Sequence, residues 1–320
     1  MRDFVFLTCV RPLAGATVFI FHASGLPAFS EAGLLRRMMA WFAYRNPDFA
    51  LEVAQEKIPA HQVFAAAAWQ WCPCAIEVPD LPHIDRPPNG PTEVLFVASL
   101  QEGKGVLEVL KTADFLKRTG RADEFRFRIV GKWFTTEFES ESRRLHADLE
   151  LEAIVEFVGQ LTGDDKWQAY ASADVFFFPT HYESEATPIV LMEALGMGLP
   201  IVSTAWAGIP AMLEGCASAR ILPVRSPEKF AAALIDIAGQ RANSAESARI
   251  SQQFYQERFL PARFIERVGN AFRAVEEPVL QLPSAQCFGE SVIEERKNNC
   301  EATDPYALNE TPKKRNTEEP

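Results

Sequence analysis

The sequence lacks several features that would place it in common protein classes. It has no run of about 18 apolar residues, so no helix is expected to span a membrane. Its net charge of −11 argues against nucleic acid as a partner, because a phosphate backbone requires a basic surface. The same acidity weakens, without excluding, binding of the chain to anionic membranes.

Motifs for metal and cofactor chemistry are also missing. The six cysteines are scattered, and Cys72 and Cys74 lie too close together for the usual zinc spacing. Reduced thiols in a cytoplasmic protein are the simpler interpretation. No Asp-x-Asp pair, no Gly-x-Gly-x-x-Gly after a strand and no Gly-x-Ser-x-Gly elbow occurs. We therefore expect neither a metal nor a cofactor, and no nicotinamide dehydrogenase.

The chain does contain a large apolar content and a regular alternation of elements. Its 320 residues are 48% hydrophobic, which is typical of a globular protein with two modest domains. From residue 93 onward, apolar strands alternate with amphipathic helices, and this alternation predicts right-handed βαβ units and a parallel sheet. The predicted strands are 94–97, 125–130, 154–158, 175–178, 201–203 and 220–224, and the predicted helices are 106–117, 139–150, 164–172 and 227–237.

The two ends of the chain give weaker patterns. Residues 17–21 predict a strand and residues 31–44 a helix, whereas 63–68 fit either a strand or a helix. The proline-rich segment 72–88 reads as a linker. Residues 259–275 show helical spacing, and the polar, acidic residues 276–320 predict a disordered tail.

Two glutamates stand out between the strands predicted at 175–178 and 201–203. Glu185 falls in the loop. Glu193, with seven residues between the two, falls on a helix predicted to begin with Thr187 as N-cap and Pro188 in its first turn. A helix start at the mouth of a parallel sheet suits phosphates, whereas carboxylates accept hydrogen bonds from sugar and ribose hydroxyls. The combination predicts a nucleotide-sugar site.

This segment resembles the signature of the retaining glycosyltransferases of family 4. The shared pattern is a Glu, seven residues, a second Glu followed by Ala, a helix ending in small residues and a Gly-x-Pro strand entry. The resemblance implies an α/β fold with two facing Rossmann-like domains (a B-type glycosyltransferase), the first incomplete and the second a complete parallel-sheet domain. It implies a partial acceptor-side domain and linker at 1–90, a donor domain at 91–258, a helix returning to the first domain at 259–275 and the tail at 276–320.

The resemblance also implies roles for individual residues. Lys104 would bind the diphosphate, Glu193 the ribose, and Glu185 the donor hexose near its O3, with Glu183 as a rival for that last role. His22 would face the donor sugar from the first domain. We therefore expect Glu185 and His22 to be catalytic, and the donor to be bound by Ser99, Lys104, Gly131, Gly159, Gln160, Thr187, Ile189 and Glu193. For Gly131 and Gly159, a purely structural turn is the alternative.

The chain departs from the family pattern at several places. Ser99 stands where the family often has Arg, which removes one positive charge, and 186–189 replace a common Gly-Phe-Gly-Leu. The glycine-rich loop of the family's first domain is absent, and about half of that domain's sheet is expected to be missing. The sequence is therefore a fragment, a wrongly started reading frame or a reduced form; these alternatives stay open.

Three functions are compatible with these observations. The first is a metal-independent hexosyltransferase that moves a sugar from a nucleoside diphosphate to a glycan, polysaccharide or lipid-linked acceptor. The second is a non-catalytic or truncated nucleotide-sugar-binding remnant, and the third is another enzyme on this fold, such as a hydrolase or epimerase. The expected location is the cytoplasm, with peripheral contact at the inner membrane face for a lipid-linked acceptor.

Overall fold

The computed structural model describes Leu7, residues 10–22, 33–53, 60–81, 90–183, Glu185 and residues 187–276. The predicted tail therefore lies outside the described residues, apart from Glu276. Two parallel sheets organise the chain, which confirms the predicted fold class. We call them the small sheet and the large sheet.

The small sheet has three parallel strands in the order β1-β2-β3. They are β1 Val18–Phe21, β2 Phe49–Glu52 and β3 Ala68–Trp71, and the helices between them are α1 Leu34–Tyr44 and α2 Ala60–Val63. Residues 63–68 were left open between a strand and a helix. In the structure α2 ends at Val63 and β3 begins at Ala68, so these residues form neither element along their whole length. Strand β2, whose four residues are all buried, was not predicted.

The large sheet has six parallel strands in the order β6-β5-β4-β7-β8-β9. The strands are β4 Thr92–Val97, β5 Phe125–Val130, β6 Val155–Gly159, β7 Val175–Phe178, β8 Ile201–Thr204 and β9 Ala219–Leu222. The helices are α3 Val106–Arg118, α4 Thr136–Asp148, α5 Gly163–Ala171, α6 Ile189–Gly196, α7 Ile209–Met212, α8 Pro227–Gly239 and α9 Ser244–Arg258.

Continuous apolar runs explain why these strands lie at the centre of the core. All four residues of β7 are buried, as expected for a parallel strand covered by helices on both faces. Strand order reverses between β4 and β7, which pair directly. In open parallel sheets, ligands bind beyond the carboxyl ends of the strands at such a switch point.

The last described helix, α10 Pro261–Glu276, returns to the small sheet. Phe264, Val268 and Ala271 on this helix pack in one apolar cluster with Phe49 and Leu51 of β2. Of the three residues at four-residue spacing in the sequence, Phe264 and Val268 lie on this buried face, whereas Phe272 is 52% exposed.

Two helix starts differ from the prediction for reasons of capping. Helix α4 begins at Thr136 instead of residue 139, because the Thr135 hydroxyl accepts a hydrogen bond from the Phe138 N–H at 3.2 Å. For α6 the predicted Thr187 cap is wrong: Pro188 is the N-cap residue, and Ile189 is the first residue of the helix.

Candidate functional site

The loops that follow β4 and β7 meet at the switch point. The His181 N–H donates to the Gly103 carbonyl at 2.7 Å, and the Thr180 hydroxyl oxygen lies 3.2 Å from the same carbonyl oxygen. Gly105 has a φ of 104°, and a Cβ at this position would lie 2.7 Å from the Pro179 carbonyl oxygen. Glycine is therefore required where the two loops pass each other.

Glu185 and Lys104 form an ion pair in this crevice. Glu185 Oε2 lies 2.8 Å from Lys104 Nζ, and the Thr180 hydroxyl donates to the same carboxylate oxygen at 3.1 Å. The lysine ammonium also lies over the Tyr182 ring, 4.3 Å from its centroid. Both side chains of the ion pair are largely buried. The structure thus brings together two residues that the sequence treated as separate ligand contacts.

Glu193 is held in a similar way on α6. Its Oε1 lies 2.8 Å from Lys166 Nζ, and its Oε2 accepts a hydrogen bond from the Tyr170 hydroxyl at 2.7 Å. Glu193 is 5% exposed, so it is not a solvated helix-surface residue. Each carboxylate oxygen can accept about two hydrogen bonds. One acceptor position on each oxygen is therefore left beyond these two donors.

Tyr170 is a fixed donor in this arrangement. Burial raises the pKa of its hydroxyl well above the usual value, and the negative charge of Glu193 and the hydrogen bond to it add to that increase. The phenol therefore stays protonated at physiological pH and orients the carboxylate. Neither Tyr170 nor Lys166 was identified from the sequence, because both lie on α5, more than 20 residues before Glu193.

Gly131, Gly159 and Gln160 lie together at the ends of β5 and β6. The Gly131 N–H donates to the Gly159 carbonyl at 2.9 Å. A Cβ on Gly131 would lie 1.9 Å from the Ala98 carbonyl oxygen, whereas a Cβ on Gly159 would meet open space. Gly131 is thus required by packing, while Gly159, with a φ of 87°, borders an open surface.

The two glycines and Gln160 line a cavity of about 460 Å³. Trp133, Phe157 and Arg143 also line it, and the Arg143 guanidinium lies 5.4 Å from the centroid of the Phe157 ring. A planar ring could stack against these groups. Trp133 was not predicted, although the aromatic pair Trp133–Phe134, separated from Gly131 by Lys132, was an available signal.

Ile189 and Thr187 stand at the start of α6. Ile189 is half-exposed as the first helical residue. The Thr187 hydroxyl donates to the Val53 carbonyl at 3.1 Å, just past the end of β2. Thr187 therefore links the donor-side loop to the small sheet instead of capping the helix.

Ser99 and His22 lie outside the two carboxylate clusters. Ser99 is exposed, and its hydroxyl accepts a hydrogen bond from the Gln101 side chain at 3.0 Å. His22 is exposed directly after β1. Within the described part of the chain, its side chain makes no hydrogen bond to Glu185 or Glu193. The expectation that His22 faces a bound sugar from the small sheet stays a prediction.

Two other histidines have partners that the sequence does not reveal, while His83 lies outside the described residues. His61 is buried, lies 3.2 Å from Glu52 through Nδ1 and stacks on Trp69 with ring centroids 4.0 Å apart. His146 Nε2 lies 2.9 Å from the Val155 carbonyl oxygen.

His181 sits beside the crevice and is partly buried. Burial lowers the pKa of its imidazole; Glu108 opposes this shift, and Arg225 and Lys111 add to it. Its Nδ1 is buried and has no hydrogen-bond partner among the described residues. A neutral imidazole is therefore expected here at physiological pH.

Neither a metal cluster nor a membrane span is found in the described ranges. No group of three or more His, Cys, Asp or Glu side chains there could hold a metal ion. No helix of that part is long and apolar enough to cross a bilayer.

The large sheet is the parallel sheet of a Rossmann-type α/β domain, and its crevice lies at the switch point. Residues 91–240 match the profile of the family described as Glycosyl transferases group 1. The match spans 150 of the 320 residues, and this segment is similar to that family.

Two curated relatives each match about half of the chain. The putative colanic acid biosynthesis glycosyltransferase WcaL of Salmonella typhimurium is 30% identical over 182 residues, which cover 54% of this chain and 44% of that protein. The amylovoran biosynthesis glycosyltransferase AmsK of Erwinia amylovora is 29% identical over 175 residues, covering 52% of this chain and 42% of the relative. The chain thus spans less than half the length of these relatives.

Solved structures resemble the fold over more of the chain. HepE (Alr3699) of Anabaena, crystallised with UDP, has a TM-score of 0.70 at 15% identity and covers 85% of this chain and 76% of its own. Sucrose-phosphate synthase of Thermosynechococcus elongatus has a TM-score of 0.63 at 19% identity, covering 80% and 67%. At these identities the likeness shows the two-sheet glycosyltransferase fold alone.

Proposed function

We propose that this chain binds a nucleoside diphosphate sugar at the carboxyl edge of the large sheet. It would transfer the hexosyl group, with retention, to a glycan, polysaccharide or lipid-linked acceptor. The observation that carries the proposal is the burial of Glu185 and Glu193 at this edge, each paired with a lysine ammonium. Support comes from the polysaccharide-biosynthesis names of WcaL and AmsK and from HepE, which was crystallised with UDP-glucose.

Glu193 would hold the ribose. Lys166 and Tyr170 each take one acceptor position, on different carboxylate oxygens. The position left on each oxygen matches the two neighbouring hydroxyls of a ribose, which would bind side by side. The nucleobase would then lie in the cavity bordered by Gly159 and Gln160 and form hydrogen bonds with the backbone at the open edge of β6.

Lys104 would bind the phosphates, and Glu185 would bind the hexose. Without a donor, Glu185 neutralises Lys104. A bound diphosphate would draw the ammonium toward its own negative charge and release carboxylate lone pairs for the hexose hydroxyls. Ser99 would add a hydrogen bond, and the backbone at Thr187 and Ile189 would contact the phosphates at the start of α6.

The reaction would proceed on one face of the sugar. The bond from the sugar's anomeric carbon to the phosphate oxygen breaks, and a bond to the acceptor oxygen forms on the same face. The acceptor's proton passes to the leaving diphosphate, so no protein nucleophile is required. Charge stabilisation of that diphosphate by Lys104 and the helix start would be the largest catalytic contribution, without a metal ion. His22 would approach the sugar from the small sheet.

A non-catalytic nucleotide-sugar-binding protein is the second candidate. It is favoured by the exposure of His22. Such a protein would bind the nucleotide sugar but would not cleave it when an acceptor is present. A hydrolase or epimerase on this fold would instead give free sugar or an isomer without any acceptor.

The proposal places the chain in the cytoplasm. Cys72, Cys74 and Cys216 are free thiols in the structure, as expected in a reducing compartment. A lipid-linked acceptor would add contact with the inner membrane face.

Calorimetric titration with UDP, GDP and ADP tests the donor site. We expect one of the three to bind, and Glu193→Ala to weaken that binding by roughly 100-fold, because two hydrogen bonds to a charged group are lost. Glu246→Ala, which removes an exposed carboxylate on α9, is the matched control and should bind like the wild type. Glu193→Gln keeps the shape of the side chain and removes its charge, so a comparison with Glu193→Ala separates the two effects.

The outcomes separate the candidates. Equal binding by wild type and Glu193→Ala would show that the site is assigned wrongly. Binding that depends on Glu193 without turnover of the matching nucleotide sugar would favour the non-catalytic alternative. Titration with a chelator present should leave the affinity unchanged if no metal takes part.

A further inference from the structure

The cavity beyond β5 and β6 carries an ion pair that the donor contacts described above leave unused. Glu139 and Arg143 lie four residues apart on α4, and both line the cavity bordered by Gly159. The Arg143 Nε lies 2.8 Å from Glu139 Oε1. A pair at this helical spacing ordinarily lies on a solvated helix surface and contributes little to stability. This pair instead borders the space in which the nucleobase is proposed to lie.

Arg143 is held against aromatic rings at the wall of the cavity. Its guanidinium carbon lies 5.9 Å from the centroid of the Trp133 ring and 5.4 Å from that of the Phe157 ring. The centroids of these two rings are themselves 5.4 Å apart. Cation–π attraction therefore orders the guanidinium before any ligand arrives. An ordered side chain loses less conformational entropy on binding than a mobile surface arginine would.

Both members of the pair keep free hydrogen-bonding atoms. Within the described residues, Glu139 Oε2 accepts no hydrogen bond, and the two terminal nitrogens of Arg143 donate none. The side chains are 32% and 54% exposed, respectively, so a ligand in the cavity can reach them. A carboxylate accepts through both oxygens, and a guanidinium has five N–H donors. The wall of the cavity therefore presents donor groups beside two acceptor oxygens.

This order of groups is complementary to one edge of guanine. Along its Watson–Crick edge, guanine presents the O6 acceptor, then the N1–H donor, then the N2 amino donor. Uracil presents an acceptor, a donor and a second acceptor, whereas adenine presents a donor and an acceptor. Either base would turn an acceptor lone pair toward the carboxylate, which is unfavourable. Among these three bases, guanine alone offers two adjacent donors.

We propose that Glu139 and Arg143 select guanine, so that the donor is a GDP-linked sugar. Glu139 accepts hydrogen bonds from N1–H and the N2 amino group, and Arg143 donates to O6. Phe134 borders the same cavity and is 72% exposed, and its ring can stack on the base without distinguishing one base from another. This inference rests on the proposed function, because it assigns the base of the nucleotide whose ribose Glu193 would hold.

Calorimetric titration of the full chain with GDP, UDP, ADP and inosine diphosphate tests the assignment. Inosine diphosphate differs from GDP only in lacking the 2-amino group, so it removes one of the two adjacent donors. We expect GDP to bind at least about 100-fold more tightly than UDP or ADP. Inosine diphosphate should bind about tenfold more weakly than GDP, because one hydrogen bond to a charged group is lost.

Three variants make the test specific to the base. Glu139→Gln keeps the size of the side chain, and it should weaken GDP binding by about tenfold and bring GDP and inosine diphosphate to within about threefold of each other. Glu137→Gln neutralises an exposed carboxylate in the same turn of α4 and should bind GDP within about twofold of the wild type. Arg143→Met should weaken both nucleotides by a similar factor, because both carry O6. Circular dichroism establishes that each variant is folded.

The outcomes separate this inference from the proposed function. A GDP preference that Glu139→Gln loses and Glu137→Gln keeps would support the assignment. Tighter binding of UDP or ADP than of GDP, still dependent on Glu193, would overturn it and leave the donor site standing. An unchanged ratio of GDP to inosine diphosphate affinity in Glu139→Gln would overturn it as well. No nucleotide binding by the wild type, or binding that Glu193→Ala leaves unaffected, would reject the donor site itself and this inference with it.

Discussion

The large sheet and the small sheet differ in how completely they are enclosed. In β7 of the large sheet every residue is buried, and the helices on both faces close one continuous core. In the small sheet, Ile20 of β1 and Trp69 of β3 are exposed, and the helix α1 faces outward with its apolar side chains. The carboxylate–lysine pairs of the proposed donor site lie on the large sheet alone. Donor binding should therefore depend on the large sheet, whereas transfer should require both sheets.

Matched core substitutions give the largest expected effects. Phe177 on the large sheet and Phe64 beside the small sheet are both at most 1% exposed. Each change to alanine should cost about 3–5 kcal/mol of local stability. We expect Phe177→Ala to abolish nucleotide binding and Phe64→Ala to preserve it while removing transfer activity. Denaturant unfolding and calorimetric titration of the same samples measure both effects.

The conservative variants Phe177→Leu and Phe64→Leu serve as controls with smaller volume changes. If Phe64→Ala eliminated nucleotide binding while the large sheet remained folded, the separation of roles between the two sheets would be wrong.

Lys104→Ala should have the next largest effect. Because Lys104 is proposed to bind phosphate, this change should weaken the binding of a nucleoside diphosphate by roughly tenfold or more. Binding of the corresponding monophosphate should weaken much less. Lys166→Ala is the matched control, since its ammonium contacts Glu193 on the ribose side. Lys166→Ala should weaken the binding of both nucleotides to a similar extent. Equal losses for the two nucleotides in Lys104→Ala would reject the phosphate role.

His181 should give the smallest effect, through pH. Its pKa is lowered in the folded state, chiefly by burial. As the pH falls through about 6.5, the ordinary pKa of histidine, the unfolded chain therefore binds more protons than the folded state does. The folded state loses stability in this pH range. Because the side chain is only partly buried, this loss should stay under about 1 kcal/mol. Free energies of unfolding between about pH 5 and pH 8, compared with His181→Gln, measure the difference. Identical pH dependences would contradict the assignment.

Sequence patterns predicted the large sheet better than the small one for physical reasons. The bounds of β5 and β7 match the predictions at both ends, because each is a run of largely apolar residues flanked by turn signals. Strand β2 was missed because it is only four residues long and ends in a buried Glu52, whose partner His61 lies nine residues later.

The candidate site shows the same limit. The spacing of Glu185 and Glu193 was visible, because one loop and one helix carry both. Their partners were not, since Lys104 is 81 residues from Glu185 and Tyr170 is 23 residues from Glu193. Only the parallel sheet brings these pairs together. The Thr187 cap failed for the same reason: its hydroxyl bonds to the carbonyl of Val53, 134 residues away.

The most direct test of the donor site is a crystal structure of the full chain with the nucleoside diphosphate that binds. We predict the ribose hydroxyls on both oxygens of Glu193, the phosphates at Lys104 and the start of α6, and the base against Gly159. A nucleotide bound elsewhere, or one that leaves both carboxylate–lysine pairs unchanged and untouched, would contradict the proposed site.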